Sequence, residues 1–145
     1  MNTMSWPARA LLGFIAAVLS VLIFHQAMWA ALHLAGMMPA PFPMAPTAPW
    51  GVPKIVSLCF WGGLYGAAFG LVMPRLSSPL WVRGLVLGII AALVGMFVVN
   101  AIKGLPIGYG FALIPWVDSL LINGFWGIGV GIIAPLLMPR RMRMA

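Results

Sequence analysis

The chain has one acidic residue, Asp118, and no glutamate. It has one cysteine, Cys59, and only 6% of its 145 residues are charged. Each shortage excludes something. A soluble domain carries roughly a quarter charged residues. With 63% hydrophobic residues, this chain lacks the polar surface to cover a globule in water, and lipid is its natural solvent. There are no paired carboxylates for acid–base work, and no serine–histidine–acid set or phosphate loop is evident, so no enzyme is expected. A lone cysteine closes no intrachain disulfide, and no Cys/His spacing of the zinc type is present. Cys59 therefore reads as a small buried hydrophobe, and neither a metal nor a cofactor is expected. The net charge is +7, but no basic stripe with interleaved aromatics exists, so no nucleic-acid partner is expected.

What is present is apolar length. Four runs are long enough to cross a bilayer, which takes roughly 20 residues: about Ala8 to Ala35, Ile55 to Met73, Leu80 to Ile102 and Trp116 to Met138. Pro7, Pro53 and Pro115 stand at or just before helix starts, and Pro74 and Pro139 just after helix ends. No period-2 alternation supports a barrel. The first run is too long for a cleaved leader and lacks a small-x-small site, so it reads as a retained span. The expected fold is a single all-α membrane domain over residues 1–145 with four transmembrane helices.

Charge gives the orientation. Arg9, Arg75, Arg83, Arg140, Arg141 and Arg143 fall at the N-terminus, the second connection and the C-terminus, whereas Lys54 and Lys103 flank the other side. Six against two predicts that both termini are cytoplasmic. The loops at about 36–53 and 104–115 then face outward, and the first, rich in proline and apolar residues, is expected to be ordered against the membrane or the bundle.

The chain also repeats itself. "FWGGLYGAAFGLVMPR" (60–75) returns as "FWGIGVGIIAPLLMPR" (125–140), with eight of sixteen positions identical at an offset of 65. At an offset of 75, Trp6 meets Trp81, Gly13 meets Gly88 and His25 meets Asn100. This predicts a tandem repeat of a two-helix hairpin, with units at about 4–75 and 79–140. Two spans per unit put both copies the same way up, a parallel repeat about the membrane normal. Gly62, Gly66 and Gly70, Gly84 and Gly88, and Gly127 and Gly131 recur every four residues, the spacing that lets helix backbones approach in lipid.

Polar residues gather at one depth. At about 1.5 Å per residue from the cytoplasmic arginines, His25 lies ~24 Å up, Asn100 and Asn123 ~25 Å and Ser57 ~27 Å. Intramembrane polar groups face a cavity or pair between helices. His25, Gln26, Ser57, Asn100 and Asn123 are thus either a small pocket open to the outer face or interhelical hydrogen bonds. His33, Lys54, Lys103 and Asp118 would form its rim. Asp118 suits the first turn of the fourth helix, where the dipole favours a carboxylate, or pairs with Lys54 or Lys103. Trp29, Trp50, Trp61, Trp116 and Trp126 read as interfacial anchors.

The functional expectation is a non-catalytic accessory, assembly or binding subunit, with the bilayer and a membrane protein or a second copy as partners. One alternative is a small transporter or channel using the polar pocket, although four-span exporters centre on a glutamate that this chain lacks. A second is haem binding, but His25 and His33 lie about 12 Å apart along one helix and cannot ligate one iron from opposite sides. "FHQ", "MAPTAPWGVP" and "FWGGLYG" together resemble uncharacterised small four-span membrane proteins of proteobacteria. That resemblance implies a bacterial inner-membrane location and carries over no functional residue.

Overall fold

A computed structural model describes residues 4–77 and 79–138. It is all-helical apart from one short ribbon. Four helices are long and apolar enough to cross a membrane: α1 (Trp6–Leu34), α2 (Lys54–Arg75), α3 (Leu80–Ile102) and α4 (Leu113–Leu137). Ser5 caps α1, its hydroxyl accepting the N–H of Ala8, and Pro7 sits in the first turn where its missing N–H is harmless. Pro74 lies inside a closing 3-10 turn of α2, Met73–Arg75. The fourth helix starts three residues earlier than its apolar run suggests. Leu113, Ile114 and Pro115 join its first turn, which tolerates proline, so the second loop is shorter than expected. Pro139, Arg140, Arg141 and Arg143 lie outside the described residues.

Two of the helices are not regular. α1 widens into a π turn at Val21–His25, and α3 does so at Gly95–Val99. Each π turn ends immediately before a buried amide side chain, Gln26 and Asn100 respectively. The inserted residue rotates the helix beyond it, a feature often found at functional sites.

Helices α1 and α2 pack antiparallel, as do α3 and α4, and α1 lies against α4 between them. The α2–α3 seam is barely closed. Close backbone approach holds both pairs. A Cβ on Gly66 would overlap the Gly13 carbonyl, and one on Gly70 that of Arg9. Gly84 and Gly127 would each overlap the other's carbonyl, Gly88 that of Asn123, and Gly131 that of Leu80. Gly62 differs from the other six glycines singled out by spacing. It faces the Val21 and Trp126 side chains, the latter's ring 3.5 Å from where a Cβ would stand. Spacing missed Gly13, which opposes Gly66 and Gly70, and Gly129, which makes room for Ser20 and Phe24 of α1.

The two pairs differ in register. Gly13 meets Gly66, but Gly131, the match of Gly66 at an offset of 65, meets Leu80 and Trp81 instead of Gly88. That is a slide of eight residues, about 12 Å along the axis.

The core is dry. Ala16, Ala17, Val21, Phe69, Met73, Trp126, Val130, Ala134 and Met138 are all buried. Trp126, expected at an interface, is 2% exposed. Its indole N–H donates to the Ala17 carbonyl at 3.1 Å, and the Trp126 carbonyl accepts the Ser20 hydroxyl at 2.6 Å. These two bonds tie α4 to α1 from inside the core. The small Gly62 beside the ring lets so large a side chain fit there.

The helix pairing makes a direct prediction. Gly84→Leu forces a side chain into the α4 backbone and should destabilise the detergent-solubilised protein by about 1–3 kcal/mol or more. Gly95→Ala, where a Cβ meets nothing within 4 Å, should not destabilise and should gain up to about 1 kcal/mol from helix propensity. Denaturant titration followed by circular dichroism checks both, and equal effects would contradict the packing.

Candidate functional site

The two loops at one end of the helices carry most of the polar geometry. The first connects α1 to α2 and holds a two-residue antiparallel ribbon, β1 (Pro46–Thr47) and β2 (Val52–Pro53). Its sequence is dense in proline, which removes backbone donors and stiffens the chain. Buried groups of α1 satisfy what remains. Gln26 is 2% exposed, and its Oε1 accepts the backbone N–H of Phe42 at 2.6 Å. That bond fixes the amide orientation, so Nε2 faces the His25 Nδ1 at 3.1 Å. An NH₂ group only donates, so Nδ1 of His25 is the acceptor and the imidazole hydrogen sits on Nε2. Phe42 itself takes a positive φ of 56°, an unusual conformation for a bulky residue, held by this side-chain contact.

Further bonds continue along the same helix. The Trp29 indole donates to the Pro39 carbonyl at 2.9 Å, and His33 Nδ1 pairs with the Met38 carbonyl at 2.9 Å. At the loop's far end, the Lys54 and Ile55 N–H groups donate to the carbonyls of Ala45 and Pro43. Trp29 is buried, not interfacial, and packs with Leu32 and Ile122. Its ring lies 5.4 Å below the Lys54 ammonium, a cation–π distance.

The second loop is built on the same plan. The Asn100 amide, just after the α3 π turn, donates to the Pro106 carbonyl at 3.3 Å. The Trp116 indole donates to the Gly108 carbonyl at 2.7 Å. Gly108, Tyr109, Gly110 and Phe111 all have positive φ, so the loop winds left-handed through a run where L-residues are strained. Phe97, Phe111 and Trp116 stack around it, with centroids 5.9 to 6.2 Å apart.

The five polar residues grouped by depth do not form one site. His25 and Gln26 meet each other under the first loop. Asn100 serves the second loop. Asn123 turns back to the Ser119 carbonyl of its own helix at 2.9 Å. Ser57 lines a cleft of about 350 Å³ between the ribbon and α2. The expected rim is likewise divided. His33 and Lys103 are exposed, and Lys54 sits over Trp29 instead of an acid. Asp118 lies in the second turn of α4, with its Oδ1 buried and unpartnered among the described residues. No group of three or more His, Cys, Asp or Glu placed to hold a metal occurs among the described residues. Residue type and depth do not reveal the indole anchors. The one available signal is that Trp29 lies four residues beyond His25, on the same helix face.

No family model, curated protein or solved structure matches this chain.

The anchors act locally. Gln26→Ala should raise amide hydrogen exchange in the first loop about tenfold, the effect of a lost buried hydrogen bond, and leave the second loop unchanged. Asn100→Ala should do the reverse. Exchange measured by mass spectrometry in detergent distinguishes this from a shared polar pocket, in which either change would loosen both loops.

Proposed function

We propose that this chain is a multi-pass protein of the bacterial inner membrane, with both termini cytoplasmic. It acts without catalysis, as an accessory, assembly or binding subunit whose rigid loop end docks a second membrane protein. The observation that carries this reading is the pairing of pinned backbone with exposed apolar side chains at that end. Trp50 is 86% exposed, Phe111 71% and Met44 65%, on loops held by Gln26, Trp29, Asn100 and Trp116. Exposed aromatics on an ordered frame suit association, because little side-chain and loop freedom is lost on binding. Large apolar side chains exposed beyond helix ends call for a partner or a membrane surface to cover them.

The same bonds weigh against transport. Gln26 and Asn100 are engaged by loop backbone, and the centre of the bundle is apolar. Orientation rests on Arg9, Arg75 and Arg83 at one end against Lys54 and Lys103 at the other.

The tandem-hairpin reading belongs to this proposal. It is supported by two antiparallel pairs joined through backbone-close glycines. It is supported also by π turns 74 residues apart, each followed by an amide that binds its own loop. On this reading the second copy has slid along its partner helix, which accounts for the register difference and for the extra length of α4 at its start.

Mild detergent extraction of the native membrane should recover a stoichiometric second protein. Trp50→Ser combined with Phe111→Ser should cut that recovery at least about tenfold, as expected for loss of aromatic anchors, with unchanged thermal unfolding. Recovery of the wild-type chain alone, in one monodisperse form, would contradict the docking role.

A further inference from the structure

The cleft beside Ser57 has features that docking of a protein partner does not require. One wall is the ribbon tip, Thr47, Ala48, Pro49 and Trp50. The other is the first two turns of α2, with Val56, Ser57, Phe60 and Trp61. At about 350 Å³ it has the size of a small-molecule cleft, and the walls are apolar with a few polar groups, as such sites are. No charged side chain lines it.

Its open side gives the chemistry of an occupant. Val56, Phe60 and Leu64 recur every four residues and are all exposed. They make one apolar stripe down α2, and the cleft is the upper end of that stripe. An object entering from the stripe comes from the hydrocarbon layer. Its polar end would meet donors. Trp29, Trp116 and Trp126 each donate their indole N–H to a carbonyl. The indoles of Trp50 and Trp61, both exposed at the cleft, donate to none among the described residues. The Ser57 hydroxyl also has no hydrogen-bond partner there. The Thr47 hydroxyl is already engaged by the Val52 carbonyl. Uncharged donors at the loop end of an apolar slot, Trp50 and Ser57, match ester carbonyls at the head of an acyl chain, at the depth where tryptophan settles in bilayers.

We propose that this cleft seats one acyl chain of a bilayer lipid, with the ester end at the donors nearest the loop, the Trp50 indole N–H and the Ser57 hydroxyl. The ribbon forms one side of the slot, and it keeps its shape because the anchored loop behind it does not yield. The site selects for an acyl ester and not for a headgroup, since nothing in it is charged. The inference rests on the membrane insertion proposed above; it shares Trp50 with the proposed docking surface but not Ser57, whose substitution tests it separately.

The test uses the full-length chain in phosphatidylcholine vesicles doped with phosphatidylcholine carrying a diazirine on its acyl chain. After illumination, adducts are mapped by mass spectrometry. Adducts should concentrate in residues 47–61, at least about fivefold over the exposed α3 stripe at Val86, Ile89 and Ile90. Ser57→Phe fills the slot and should remove the excess while labelling of α3 persists, which also reports that the variant is folded and inserted. Even labelling of α2 and α3, or an excess undiminished by Ser57→Phe, overturns the site. So does a cross-link between the 47–61 segments of two copies in place of the lipid adduct. Absence of label from every helix would instead remove membrane insertion itself, and the two failures are thereby distinct.

Discussion

Helices in lipid gain nothing from burying apolar side chains against one another, because the surrounding acyl chains are equally apolar. Something else must hold them, and here it is backbone contact at glycine. Gly66 against Gly13, Gly84 against Gly127 and Gly88 against Asn123 leave no room for a single methyl group. Such contact maximises dispersion between main chains and fixes the axial register to within a residue. Everything at the loop end inherits that register, because the anchors Gln26 and Asn100 are positioned by α1 and α3.

The second constraint is the satisfaction of polar groups. The chain has few of them, and among the described residues Arg9 Nε and Asp118 Oδ1 are the buried side-chain atoms left without a partner. Trp126 and Ser20 stitch α4 to α1. Gln26, Trp29 and His33 hold the first loop, and Asn100 and Trp116 the second. In a medium without water an unmet donor costs several kcal/mol, so these bonds are strong organisers of an otherwise featureless surface. The π turns serve the same end by rotating an amide toward its loop.

Some of this was legible in the sequence. Length and hydropathy located four helices to within a few residues, because a bilayer-length apolar run has few other solutions. The glycine spacing identified contact faces on α2, α3 and α4, but Gly13 stands alone in α1 and escaped the pattern. Depth along the axis grouped His25, Gln26, Ser57, Asn100 and Asn123 as one polar layer, of which His25, Gln26 and Asn100 are buried. It could not tell a shared pocket from separate anchors, since rise per residue carries no information about which neighbour a side chain faces. The π turns add a rotation that no composition announces. Tryptophan read by type misleads for the same reason. Trp126 is buried because Gly62 leaves space for an indole, a fact about the neighbouring helix and not about tryptophan.

The central claim is a loop end made rigid by buried anchors on a glycine-locked helix frame. Pulsed electron–electron resonance tests it most directly, with spin labels at Met44→Cys and Ile107→Cys in a Cys59→Ser background, in lipid nanodiscs. Both labelled positions are exposed. A single narrow distance distribution, unchanged between detergent and bilayer, is the expected result. A broad or multi-peaked distribution would contradict the account, since it would require the loops or the helix pairs to move independently.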